Sequence, residues 1–67
     1  MTIDDGEKMK LHLAGFRIIV REASIGCIRE WHPQQGWRPV VRRRTMPSLN
    51  REYDRLRKDP RVIAVRL

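Results

Sequence analysis

Polar and apolar residues alternate from Lys8: Met9, Leu11 and Leu13 are apolar, while Lys8, Lys10 and His12 are polar. Period two is the pattern of a half-buried strand, so a strand is expected here. A helix over residues 7–14 ending at Gly15 is the weaker option, because the apolar spacing is two rather than three or four. After Ala14-Gly15, the residues Phe16, Ile18 and Val20 alternate with Arg17 and Arg21, and Ile19 breaks the polar face. Gly15 either closes a tight hairpin or marks a bulge within one long strand. Ser24-Ile25-Gly26 is a short break. Cys27 to His32 reads as a strand, Pro33 to Gly36 as a turn, and Trp37 to Arg44 as the returning strand. Pro39 lacks an N–H, which puts it on an edge or at a bulge.

The pattern then changes period. Leu49, Tyr53 and Leu56 recur at i, i+4 and i+7, which lines one face of a helix. Thr45 or Ser48 can cap it, Pro47 suits its entry, and Pro60 stops it. The spacing predicts a helix over 48–58. RVIAVRL is apolar and β-branched and reads as a strand inside the sheet, able to lie parallel to the strand before the helix. The expected fold class is α+β: a two-layer domain with a four- to five-stranded, largely antiparallel sheet and one helix packed on one face. Residues 1–7 read as a flexible acidic lead, and residues 8–67 as a single small domain.

Composition narrows the function. The chain has 67 residues and a net charge of +7, from 15 basic and 8 acidic residues. Three of the acids, Asp4, Asp5 and Glu7, fall in the lead, so residues 8–67 carry +10. Such a field attracts polyanions. No apolar run approaches the ~20 residues of a membrane span, and the acidic N-terminus lacks the order of a secretory signal. A cytoplasmic protein is expected, with no membrane contact. Cys27 is the single cysteine and reads as a small core residue. With His12, His32 and the carboxylates it forms no metal-ligand spacing, so neither metal nor cofactor is expected.

No enzyme motif is present, and none of the four glycines belongs to a phosphate loop. Glu30 and His32 share one side of their strand, the arrangement of a carboxylate–imidazole pair, with Cys27 on the other side. The simpler reading of His32 is a polar residue flanking a turn, and the protein is expected not to be an enzyme. The basic residues say more. Residues 38–58 hold Arg38, Arg42, Arg43, Arg44, Arg51, Arg55, Arg57 and Lys58 against Glu52 and Asp54. Strand parity puts Arg38, Arg42 and Arg44 on one face and Arg43 with Trp37, Pro39 and Val41 on the other. Arg51, Arg55 and Lys58 form a helix stripe distinct from the apolar one. Trp31 and Trp37 either pair across the hairpin or stack on a partner.

The tail LNREYDRLRKDPRVIAVRL after a basic hairpin resembles small accessory proteins of bacteriophages and prophages, the class that includes anti-CRISPR proteins. The resemblance implies nucleic-acid binding or inhibition of a host machine. Two functions are therefore expected to compete. In the first, a binding module meets nucleic-acid phosphates through Arg38, Arg42, Arg43, Arg44, Arg51, Arg55 and Lys58, with Trp31 and Trp37. In the second, a mobile-element inhibitor sets the same surface on an acidic host protein.

Overall fold

The computed structural model describes residues 3–66. The chain runs α1 (Asp5–Leu13), β1 (Arg17–Glu22), a 3₁₀ turn (Ala23–Ile25), β2 (Cys27–His32), β3 (Gly36–Arg42), α2 (Met46–Arg57) and β4 (Val62–Val65). The class is α+β, with one open four-stranded mixed sheet of order β3-β2-β1-β4.

The first departure from expectation is α1. Residues 8–13 are helical, and Asp4 and Glu7 belong to the helix start rather than to a loose lead. The Asp4 side chain accepts from Glu7 N–H at 2.8 Å, which satisfies one free donor of the first turn. The other end closes as a Schellman motif: Gly15 N–H donates to His12 O and Phe16 N–H to Leu11 O, both at 3.0 Å. Gly15 makes this possible at φ +90°. The alternation of Met9 and Leu13 misleads, because both are exposed, Leu13 at 77%. Leu11 packs on the sheet instead, and Lys8, one turn before it, is buried.

A helix covers each face of the sheet. Ile18, Val20 and Val65 pack with Leu11, Trp31, Trp37 and Ile63 on the α1 side. Ile19 and Ile28 pack with Leu49, Tyr53, Leu56, Val41, Val62 and Ala64 on the α2 side. This explains the unbroken Ile18-Ile19-Val20 run: a strand covered on both faces has no polar side. The expected two-layer arrangement with one helix is thus corrected to a sheet between two helices.

β1–β2 and β2–β3 pair antiparallel, while β1 and β4 pair parallel. The last strand therefore joins β1 rather than the strand before the helix, and it lies at an edge rather than inside the sheet. β3, which carries Pro39, forms the other edge, where a missing N–H leaves no ladder bond unmade. Thr45 caps α2, its hydroxyl accepting from Ser48 N–H at 3.3 Å. Leu49 is the fully buried anchor of that helix.

Candidate polyanion interface

A β-bulge decides how the hairpin presents its arginines. Ile28 pairs with Val41 but Arg29 pairs with Pro39, so Val40 is the extra residue. Paired residues across antiparallel strands share a face, and the extra residue reverses parity beyond it. Arg38 lies opposite Glu30, whereas Arg42 lies opposite Cys27. Glu30 shares its face with Ile19 on the α2 side, and Cys27 shares its face with Glu22 on the α1 side. The expected common face of Arg38, Arg42 and Arg44 is therefore overturned, as is the grouping of Val41 with Trp37. Val41 packs on the α2 side and Trp37 on the α1 side.

Arg38 belongs to the turn. Its Nη1 donates to Gln35 Oε1 at 2.7 Å. Nearby, Arg17 Nε and Nη2 donate to Glu30 Oε1 at 3.0 and 2.6 Å. That hydrogen bond raises the Arg17 pKa above its ordinary value, with desolvation opposing and the charges of Glu30 and Asp59 assisting. His32 Nδ1 accepts from Gln34 N–H at 3.2 Å, so His32 closes the turn, as its position before Pro33 suggests. Helix α1 brings His12 beside it, with ring centroids 6.1 Å apart. Cys27 is fully buried. Among the described residues, no cluster of three or more His, Cys, Asp or Glu side chains is placed to hold a metal ion.

Trp31 and Trp37 form a cross-strand pair, both half-buried. Lys8 Nζ sits 5.5 Å from the Trp31 ring and 5.2 Å from the Trp37 ring, and 2.8 Å from Asp5 Oδ1. The tryptophans thus serve the packing of α1. A cation over an aromatic face is stabilised by the ring quadrupole, by roughly 0.5–2 kcal/mol depending on desolvation.

The remaining arginines gather elsewhere. The chain leaves β3 at Arg42 and runs through Arg43 and Arg44 directly into the start of α2. Arg43 Nη2 lies 3.7 Å from Glu52 Oε1, and Arg55 Nη2 lies 2.7 Å from Glu52 Oε2. Glu52 is thus the joint that makes the strand end and the helix flank one surface. Arg42, Arg44 and Arg51 are exposed and make no ion pair among the described residues. Lys58, just past the C-terminal end of α2, extends the helix stripe away from this cluster. Ile25 and Met46 border it, 50% and 41% exposed. They line a shallow cleft with Gly26, Arg43, Arg44 and Thr45.

Three further arginines lie outside the sequence-predicted site. Arg21, Arg57 and Arg66 sit on the opposite flank of α2, beside β4. Two signals in the sequence point to them: Tyr53 and Arg57 are spaced i, i+4, and Arg21 shares strand parity with Ile19. Comparison with family models, curated proteins and solved structures gives no match to this chain. No helix among the described residues is long and apolar enough to cross a membrane.

Proposed function

We propose that this protein is a non-enzymatic binding module whose arginine-rich strand end and helix flank engage nucleic-acid phosphates. The observation that carries the reading is the Arg43–Glu52–Arg55 bridge, which joins the two basic segments into one surface. A single carboxylate spaces two guanidiniums there, Arg42 and Arg44 border a neighbouring cleft with Arg43, and Arg51 precedes Arg55 by one helical turn, all three exposed. Guanidinium forks match phosphate geometry in two bonds. The interactions are with backbone charge, so binding is insensitive to base sequence.

The test uses Arg42→Gln, Arg44→Gln and Arg51→Gln together. These side chains hold no ion pair among the described residues, and exposed charges contribute ~0–1 kcal/mol to stability, so circular dichroism should be unchanged. Random duplex and single-stranded DNA are titrated at several salt concentrations. The expected result is weaker binding, with the log–log salt slope reduced by about 0.7–0.9 for each phosphate that is no longer neutralised. A folded triple variant with unchanged affinity and slope would sink the proposal.

A second reading, an inhibitor that sets this surface on an acidic protein, is favoured by Ile25 and Met46, exposed apolar groups within the basic rim. Protein interfaces concentrate their energy in a few desolvated anchors. Strong loss of partner binding in Ile25→Asp with DNA binding retained would point to that class, including a phage- or mobile-element-encoded inhibitor.

A further inference from the structure

The flank of α2 away from the Arg43–Arg55 surface carries a second cluster of cations that make no ion pair among the described residues. The parallel register runs Arg17↔Val62 to Val20↔Val65. Arg21 and Arg66 each come one residue after the last of these pairs, and both border one cleft. Both follow the parity of Ile19 and Ala64 and so point to the α2 side. Like charges side by side on adjacent strands are destabilising. Arg57 adds a third guanidinium from α2, one turn after Tyr53.

The cluster is held in place. Arg21 Nη1 donates to Asn50 Oδ1 at 2.7 Å. Its guanidinium carbon lies 4.5 Å from the centre of the Tyr53 ring, and that of Arg57 lies 5.3 Å from it. Arg21, Arg57 and Arg66 have no carboxylate partner among the described residues. Glu22 borders the same cleft but is engaged by Arg29, whose Nε lies 3.1 Å from its Oε1. The cleft measures about 610 Å³; Ala64 and the Tyr53 ring lie on its α2 side, while the side chains of Val20 and Val65 are buried on the α1 side. That volume falls within the ~300–1,000 Å³ typical of small-ligand sites.

We infer that this cleft binds a phosphomonoester on a nucleoside-sized body. A monoester carries about −1.5 to −2 charges at neutral pH, against one for a backbone diester, so it suits three converging guanidiniums better. The Tyr53 ring and Ala64 offer the apolar contact for the attached sugar or base. The ligand is either a free mononucleotide or the phosphorylated end of a strand. The inference stands on residues separate from the proposed polyanion surface and does not rest on that reading.

The test measures binding of adenosine, adenosine 5′-monophosphate, and a short single-stranded oligonucleotide with and without a 5′-phosphate. The variants are Arg66→Gln and Arg21→Gln, with folding checked by circular dichroism; Arg66→Gln removes no side-chain hydrogen bond among the described residues. The expected result is that each phosphorylated ligand that binds does so at least about tenfold more tightly than its unphosphorylated form, and that this preference is lost in Arg66→Gln. Arg42→Gln with Arg44→Gln should leave the preference intact even where total oligonucleotide binding falls. A preference confined to the oligonucleotide identifies a strand end, and an equal preference for the mononucleotide identifies a free nucleotide. Absence of any phosphate preference, or its survival in a folded Arg66→Gln protein, would overturn the inference.

Discussion

At the scale of the residue, two glycines show how local geometry sets tolerance. Gly26 ends the 3₁₀ turn at φ +63°, and a Cβ there would lie 2.3 Å from the Arg43 carbonyl oxygen. The crowding is backbone against backbone, because Arg43 N–H donates to Gly26 O at 2.8 Å. Gly15, at φ +90°, would direct a Cβ only toward the Arg61 Nη1 atom, 3.1 Å away at the end of a flexible side chain. A left-handed conformation costs a non-glycine residue roughly 1–2 kcal/mol by itself. Gly15→Ala should lose about that much in urea unfolding, and Gly26→Ala clearly more, because the strand end must also move. Equal losses would mean that the Gly26–Arg43 approach does not constrain the native state. Lys8 shows the limit of reading residues by polarity. Counted as polar, it suggests a solvent face, yet it is only 8% exposed, and its charged end rests over two indole rings.

At the scale of the element, α2 was legible and α1 was not. Leu49, Tyr53 and Leu56 repeat at helical spacing, and all three face the sheet. The helix spans Met46–Arg57 where 48–58 was expected, because the cap is Thr45. In α1 the alternation of Met9, Leu11 and Leu13 outweighed two better signals, Asp4 with Glu7 three residues later and Gly15 at the end. The hairpin and its turn were legible, the Trp31–Trp37 pairing was one of two readings of those residues, and Pro39, expected on an edge or at a bulge, lies on an edge strand beside the bulge. The faces of the hairpin's arginines were not legible, since the bulge at Val40 reverses parity and single-chain periodicity carries no pairing information. Ile19 did carry a signal for a second helix, because an apolar residue on the supposed polar face needs cover. Leu49 is fully buried while Leu56 is half-buried. Leu49→Ala should therefore cost ~2–5 kcal/mol, the range for truncating a buried leucine, and Leu56→Ala less. Chemical denaturation of the two variants decides it, and the reverse order would mean that α2 is anchored through its C-terminal half.

At the scale of the whole molecule, charge and size together predict how stability responds to salt. The principal extents are 33 × 22 × 18 Å, and the net charge is +7. At about 10 mM ionic strength the screening length is about 30 Å, so every arginine repels every other across the domain. At about 0.15 M it is about 8 Å, and only neighbours interact. The five ion pairs among the described residues close at 2.6 to 3.7 Å, inside the screening length under both conditions. Raising the salt therefore removes mainly long-range repulsion, while it weakens the attractive pairs only in part. Four of the five have one exposed partner beside a more covered one, which leaves each near the ~0–1 kcal/mol of surface pairs, too little to reverse the balance. The thermal midpoint should rise as NaCl is raised from about 10 mM to about 0.15 M. Beyond that it should flatten, because the remaining interactions are shorter than the screening length. A midpoint that falls over the same range would show that the ion pairs, led by Arg17–Glu30, outweigh the repulsion among the arginines. The excess positive charge would then be better neutralised within the fold than the arrangement around α2 implies.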